Sequence, residues 1–182
     1  MSNYCISATL AGVPVDCQPN MGGIAKAYIA NFADDMFTIN EDSGDTKGVV
    51  TGIKSGVSWY EFNFRAESSN FTSTLNKTAD GGNYVSTEIV LNFARMETAK
   101  RLEMNALALN DMAVVVKDNN GKYWAFGINR QVTSSAGSGE SGTAFGDANR
   151  YSITLLANDG RFAPELNSSA ITALLAAIPA QA

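Results

Sequence analysis

The sequence predicts a mainly β (α+β) protein: an antiparallel β-sandwich or barrel with one packed amphipathic helix and a short C-terminal helix. Three observations carry this. Residues 58–66 and 84–93 alternate side chains with period two, the pattern of half-buried antiparallel strands. At residues 96–109 the period becomes three to four, the spacing of an amphipathic helix. Asn119-Asn120-Gly121 then divides two apolar runs, and Asn-Gly supplies the positive φ values that a tight hairpin demands.

Taken in order, residues 1–24 read as an arm, broken at Pro14 and Pro19 and turning at Gly22-Gly23. Residues 25–160 read as the β domain, and 161–182 as a C-terminal tail. Residues 25–32 are an apolar strand. An acidic connection over 34–46 holds a short strand at Met36, Phe37 and Ile39, and residues 47–53 form the next strand. In 58–66, Tyr60, Phe62 and Phe64 point one way; Trp59, Glu61, Asn63 and Arg65 point the other. Residues 71–77 make a more exposed strand, and Asp80-Gly81-Gly82-Asn83 a turn. Val85, Thr87, Ile89, Leu91 and Phe93 share one face of the strand that follows. In the helix, Met96, Ala99, Leu102, Ala106 and Leu109 form the stripe expected to pack on the core. Residues 112–118 and 122–128 flank the Asn-Gly turn as a hairpin. Residues 133–149 are mostly Gly, Ser and Ala, and read as a long flexible loop with Phe145 as its only large apolar anchor. That loop either orders against a neighbouring subunit or is a plain solvent loop. Tyr151, Ile153 and Leu155 point inward from a closing strand. Residues 169–178 form an apolar helix stopped by Pro179, which must dock on its own core or on another subunit.

Charge is uneven. Residues 1–45 carry Asp16, Asp34, Asp35, Glu41, Asp42 and Asp45 against Lys26 alone, and the remainder is neutral, so the net charge of −5 sits in the N-terminal quarter. No cationic face for phosphates is visible, which argues against tight nucleic-acid binding. The acidic quarter is either a solvated surface or one that lets a polyanion pass. Cys5 and Cys17 have no further ligands at zinc spacing, and they read as free thiols of a reducing cytoplasm. No signal peptide and no membrane-spanning run is evident.

A reaction centre is hard to assemble from this chain. It contains no histidine, the usual base of a nucleophilic triad. Ser138 and Ser141 complete no G-x-S-x-G elbow, and the glycine-rich run lacks the lysine of a P-loop. Asp34/Asp35 and Glu41/Asp42 are adjacent pairs, whose side chains in a strand face opposite ways. Asp118 and Asn120 open like a calcium loop, but Lys122 stands where a third oxygen ligand is needed. The expectation is no catalytic residue, no cofactor and no metal.

Residues 59–159 resemble the tail-tube and related ring-forming virion proteins of tailed bacteriophages. The resemblance rests on the aromatic strand Trp59-Tyr60-Glu61-Phe62-Asn63-Phe64, the helix after strand 84–93, the hairpin over 119–121 and the closing strand 151–156. It is one of pattern over about two thirds of the chain, since this family has no short diagnostic motif. It implies stacked rings, commonly hexameric, around a lumen through which DNA passes without tight binding. It also implies other tail or head proteins as partners, and a place in the virion after synthesis in the host bacterial cytoplasm. Tube proteins usually carry their long loop between early strands, so the late position of 133–149 leaves room for a head-tail connector, stopper or capsid decoration protein.

The expected assembly loop is Ser138, Gly139, Glu140, Ser141 and Phe145. The expected lumen or contact acids are Asp34, Asp35, Glu41, Asp42 and Asp45. A second class of function is a carbohydrate- or ligand-binding β-sandwich that stacks its ligand on Trp59 and Trp124. Each tryptophan sits on a strand otherwise rich in core residues, so a second buried face is the better account of both. A bacterial surface subunit, or an enzyme working on carboxylates alone, is a weaker reading.

Overall fold

The computed structural model describes residues 20–41 and 47–179; the arm over 1–19, with Cys5 and Cys17, and the acidic residues Asp42 and Asp45 lie outside them. In chain order the elements are β1 (Ile24–Asn31), β2 (Phe37–Ile39), β3 (Val50–Ile53), β4 (Tyr60–Asn63), β5 (Asn70–Lys77), β6 (Asn83–Ala94), α1 (Thr98–Leu109), β7 (Met112–Asp118), β8 (Tyr123–Phe126), β9 (Thr133–Glu140), β10 (Arg150–Asp159) and α2 (Ser168–Ala176). The protein is mainly β, a sandwich of antiparallel sheets with packed helices. An inner sheet has the order β4-β1-β7-β8 and an outer sheet the order β5-β6-β10-β9. The β2–β3 hairpin and α2 form a third layer.

The first core lies between the two sheets. Ile24, Ala27 and Ile29 of β1 and Met112, Val114 and Val116 of β7 meet Ile89, Leu91 and Phe93 of β6 and Ile153 and Leu155 of β10. The alternation read in residues 84–93 holds: Val85, Thr87, Ile89, Leu91 and Phe93 are all buried. Thr87 satisfies its hydroxyl against Ser73 at 2.8 Å, as a buried polar group must. Aromatic edges close one end, with Phe62 and Phe64 at 5.8 and 5.4 Å from Phe93.

The second core lies on the opposite face of the inner sheet. Tyr28, Ala30, Ala113, Val115 and Ala125 pack there against Met36, Val50, Trp59, Leu166 and Leu174. The inner sheet is therefore buried on both faces. This explains why β7 reads as an unbroken apolar run and does not alternate. The facing read in residues 58–66 holds, with Phe62 and Phe64 on the first core and Trp59 on the second. Trp59 is fully buried, whereas Tyr60 is 54% exposed. The two faces of the strand are not core and solvent, because the chain enters β4 through the second core. The C-terminal helix docks on its own molecule through Ala170 and Leu174, with Asn167 capping it by accepting from the Ala170 N–H at 2.8 Å.

Two expectations are overturned. Residues 133–149 are not one flexible loop: Thr133–Glu140 is an eight-residue strand, paired antiparallel along β10. A strand built of Gly, Ser and Ala carries no propensity signal, and what forms it is backbone pairing with a strand already fixed in the core. Nor does the stripe Met96, Ala99, Leu102, Ala106, Leu109 face the core. Leu107 is the buried residue of α1, and Met104 packs partly beside it. Leu102 and Leu109 are 57% and 85% exposed. Leu, Met and Ala fall on two faces of this helix, and the sheet edge beneath it selects the other one.

Candidate assembly surfaces

The candidate surfaces are the sheet edges, a turn and a groove. Among the described residues, β5 pairs with β6 alone and β9 with β10 alone, so both borders of the outer sheet are open. Each is eight residues long. The inner sheet is closed by comparison. Its β8 edge is covered by residues 164–166, which bond Ala125 N to Pro164 O at 3.0 Å and Leu166 N to Tyr123 O at 2.9 Å. Lys122 and Glu165 pin that cover at 2.6 Å. Its β4 edge has only four residues.

An open edge offers a row of unpaired N–H and C=O groups, and proteins normally blunt it with lysine, proline, a bulge or a cover. β9 has no proline or lysine, its single charge, Glu140, stands at its end, and it carries one bulge, at Ser135, while β5 ends in Lys77. Its small residues have a local reason. A Cβ at Gly139 would lie 3.0 Å from the Tyr151 ring and 3.3 Å from Met96 Cε. Gly137 is paired opposite Ile153, and Ser138 faces outward opposite Ser152. Glu140 reaches Arg150 at 3.4 Å.

The turn after β9 is built, not loose. Asp147 accepts from the N–H groups of Thr143 and Ala144, both at 2.7 Å, and its own N–H donates to Ala144 O at 3.0 Å. The N–H groups of Ala144 and Thr143 hold the Asp147 carboxyl below the usual carboxylate range. Gly142 sits at φ +70°, where a Cβ would lie 2.5 Å from that of Asp147, so glycine is required. Ser141 donates to Gly142 O at 3.2 Å. At the far end, Asn149 receives the N–H of Arg95 on its carbonyl and that of Met96 on its side chain. Phe145 projects from this braced turn completely exposed, at 114% of its reference area.

The acidic candidates lie elsewhere. Asp34 and Asp35 form an exposed turn ahead of β2, in the layer across the inner sheet from β9. Asp35 has φ 58°, and the Asp34 carbonyl receives Lys54 Nζ at 2.8 Å. Glu41 is held by Arg161 at 2.9 Å. The structure thus separates the assembly-loop residues from the acids instead of bringing them together.

Trp59, with no exposed ring face, offers no stacking platform. Trp124 is partly buried against the first core and donates its indole N–H to Asp118 at 3.0 Å. Among the described residues, no three His, Cys, Asp or Glu side chains gather to hold a metal ion, and no helix is long and apolar enough to cross a membrane. The clearest electrostatic network is structural. Lys26 and Glu61 bridge β1 and β4 at 2.8 Å, which draws the Glu61 carboxyl below its ordinary value. Burial pushes the neighbouring Tyr28 hydroxyl upward, helped by Tyr123 and Glu61.

No family model, curated protein or solved structure matches the chain. The functional reading therefore rests on this geometry. Sequence reasoning missed β5 as an open edge and the groove between α1 and β4. For the β9 edge, the absence of charge and proline through residues 133–139 is a signal only once that segment is known to be a strand.

Proposed function

We propose that this protein is a self-assembling structural subunit of a bacteriophage virion, of the tail-tube kind, whose copies join through the two borders of the outer sheet. One observation carries the reading: among the described residues β5 and β9 are open, equally long, and border the same sheet. Three antiparallel pairings separate them, so β9 runs opposite to β5. Setting β9 of one copy beside β5 of the next continues the antiparallel order without a break. Such a contact is head-to-tail, and it closes into a ring when its rotation closes.

The bulk of each copy lies on one side of the outer sheet, so a ring puts that bulk outside and the free sheet face inside. Register sets Thr72, Thr74, Ser86, Ser138, Ser152 and Thr154 on the free face, with Glu88, Glu140 and Arg150 as its charges. A nearly neutral wall, mostly hydroxyls and amides with Val90 and Leu156 among them, suits passage of DNA without tight binding, since affinity for DNA comes from many cationic phosphate contacts. In this ring Asp34, Asp35 and Glu41 fall on the outside, and we do not assign them to a lumen. Tail and head proteins are the proposed further partners.

The test is electron microscopy across a concentration series, with Gly137→Pro and Ser138→Pro alongside the wild type. Successive strand N–H groups point to opposite sides, so one of these substitutions breaks a bond to β10 and the other removes only an outward donor. Wild-type rings or tubes are expected, with none from the proline variant that keeps the wild-type melting temperature. A wild type that stays monomeric at every concentration, or a folded outward variant that assembles normally, overturns the proposal.

A further inference from the structure

A wholly exposed phenylalanine on a rigid turn has a cost in water that nothing among the described residues offsets. The turn around Phe145 is also unusually dry in chemistry. Gly142, Thr143, Ala144 and Gly146 are neutral, and the Asp147 carboxylate is turned inward onto two N–H groups. The knob can enter an apolar site without stripping water from a charge.

A matching hollow exists on the same molecule. Between α1 and β4 lies a cavity of about 210 Å³, lined by Phe62, Phe93, Ala99 and Met104 together with the polar Glu61, Asn63, Lys100 and Glu103. Apolar cavities of about 150 Å³ accept a benzene molecule, so this one has room for a phenyl ring. Two aromatic edges line it, the surroundings in which another ring packs well. A second hollow of about 290 Å³ continues the groove past Tyr60, Phe62 and Ala106. The exposed Tyr60 and Leu102 flank this region of the surface.

We propose that Phe145 of one copy seats in the α1–β4 hollow of a second copy, as the aromatic anchor of the contact between them. The inference rests on the reading that copies associate, and it adds a residue pair that strand pairing does not involve. One aromatic side chain buries only about 150–250 Å², too little for a stable interface by itself. Phe145 therefore acts together with the sheet edges, as the kind of central anchor that dominates binding energy.

Two variants test this by sedimentation. Phe145→Ser removes the knob and leaves the hollow. Ala99→Trp, at an exposed helix position, fills the hollow and leaves the knob. Neither replaces a buried residue, so both are expected to keep the wild-type melting temperature. Each alone associates at least tenfold more weakly than the wild type. An equimolar mixture recovers one good contact, knob from one chain and hollow from the other, and gives one-to-one pairs that do not grow further. Variants that assemble as the wild type does, or a mixture that stays monomeric, overturn the inference and leave the strand-edge reading standing. A wild type that never associates overturns both.

Discussion

Glu61 shows how one side chain sets a measurable property. Its carboxylate accepts from Lys26 Nζ at 2.8 Å and from Asn63 at 3.0 Å, which holds its pKa below the ordinary value of 4.5. A carboxyl depressed in the folded state contributes stability that is present above the unfolded value and is lost as pH falls through the folded one. Glu61→Gln is therefore expected to lower the melting temperature at pH 7 and to flatten its fall below about pH 4.5. Melts at pH 7 and pH 3 check this: equal slopes for the two proteins would mean the pair carries no linkage. Trp59 is instructive in another way. Its neighbours in sequence form an alternating strand, and the second buried face read for it is the second core; which segments cover that core, local alternation cannot report.

At the scale of elements, α1 is the sharpest case. Leu107 is 5% exposed, and Leu109, two residues on, is 85% exposed. Leu107→Ala is expected to cost about 2–4 kcal/mol, as for a buried leucine. Leu109→Gln is expected to stay within about 0.5 kcal/mol. Urea midpoints for the two variants decide the matter, and the reverse order would restore the stripe expected from periodicity. That stripe was a fair reading, because Leu102, Ala106 and Leu109 do recur at helical spacing. Periodicity identifies a helix, but it ranks two competing apolar faces poorly when both contain leucine. β9 failed for the opposite reason. Thr133–Glu140 holds no large side chain, so nothing in its pattern could mark it as a strand. The hairpin of β7 and β8 was legible because its Asn-Gly turn determines geometry locally, and Gly121 does adopt φ +84°.

At the scale of the whole molecule, stability depends on covering the inner sheet twice. Leu174 of α2 is fully buried over the second core, and the adjacent Leu175 is 46% exposed. Leu174→Asp places an unpaired carboxylate against that core and is expected to cost more than the 2–5 kcal/mol of a buried leucine truncation. Leu175→Asp is expected to be nearly silent. Chemical denaturation of both reports whether α2 is a structural lid of this molecule or a segment free to leave it. Among the described residues, the same architecture leaves the outer sheet covered on one face only, with both borders open. The molecule is thus finished on one side and unfinished on the other, which is the physical basis for reading it as a subunit.

The β class, the inward face of β6, the Asn-Gly hairpin and the existence of two helices were determined by the sequence itself, because each depends on residues a few positions apart. The double burial of the inner sheet, the face on which α1 packs, the strand at 133–140 and the isolation of the acidic turn from the assembly turn were decided only by the tertiary structure. Each of these depends on which distant segment supplies the partner. Thr133–Glu140 becomes a strand because β10 is already fixed beside it, and Phe145 becomes a knob because the turn behind it is braced against its own backbone.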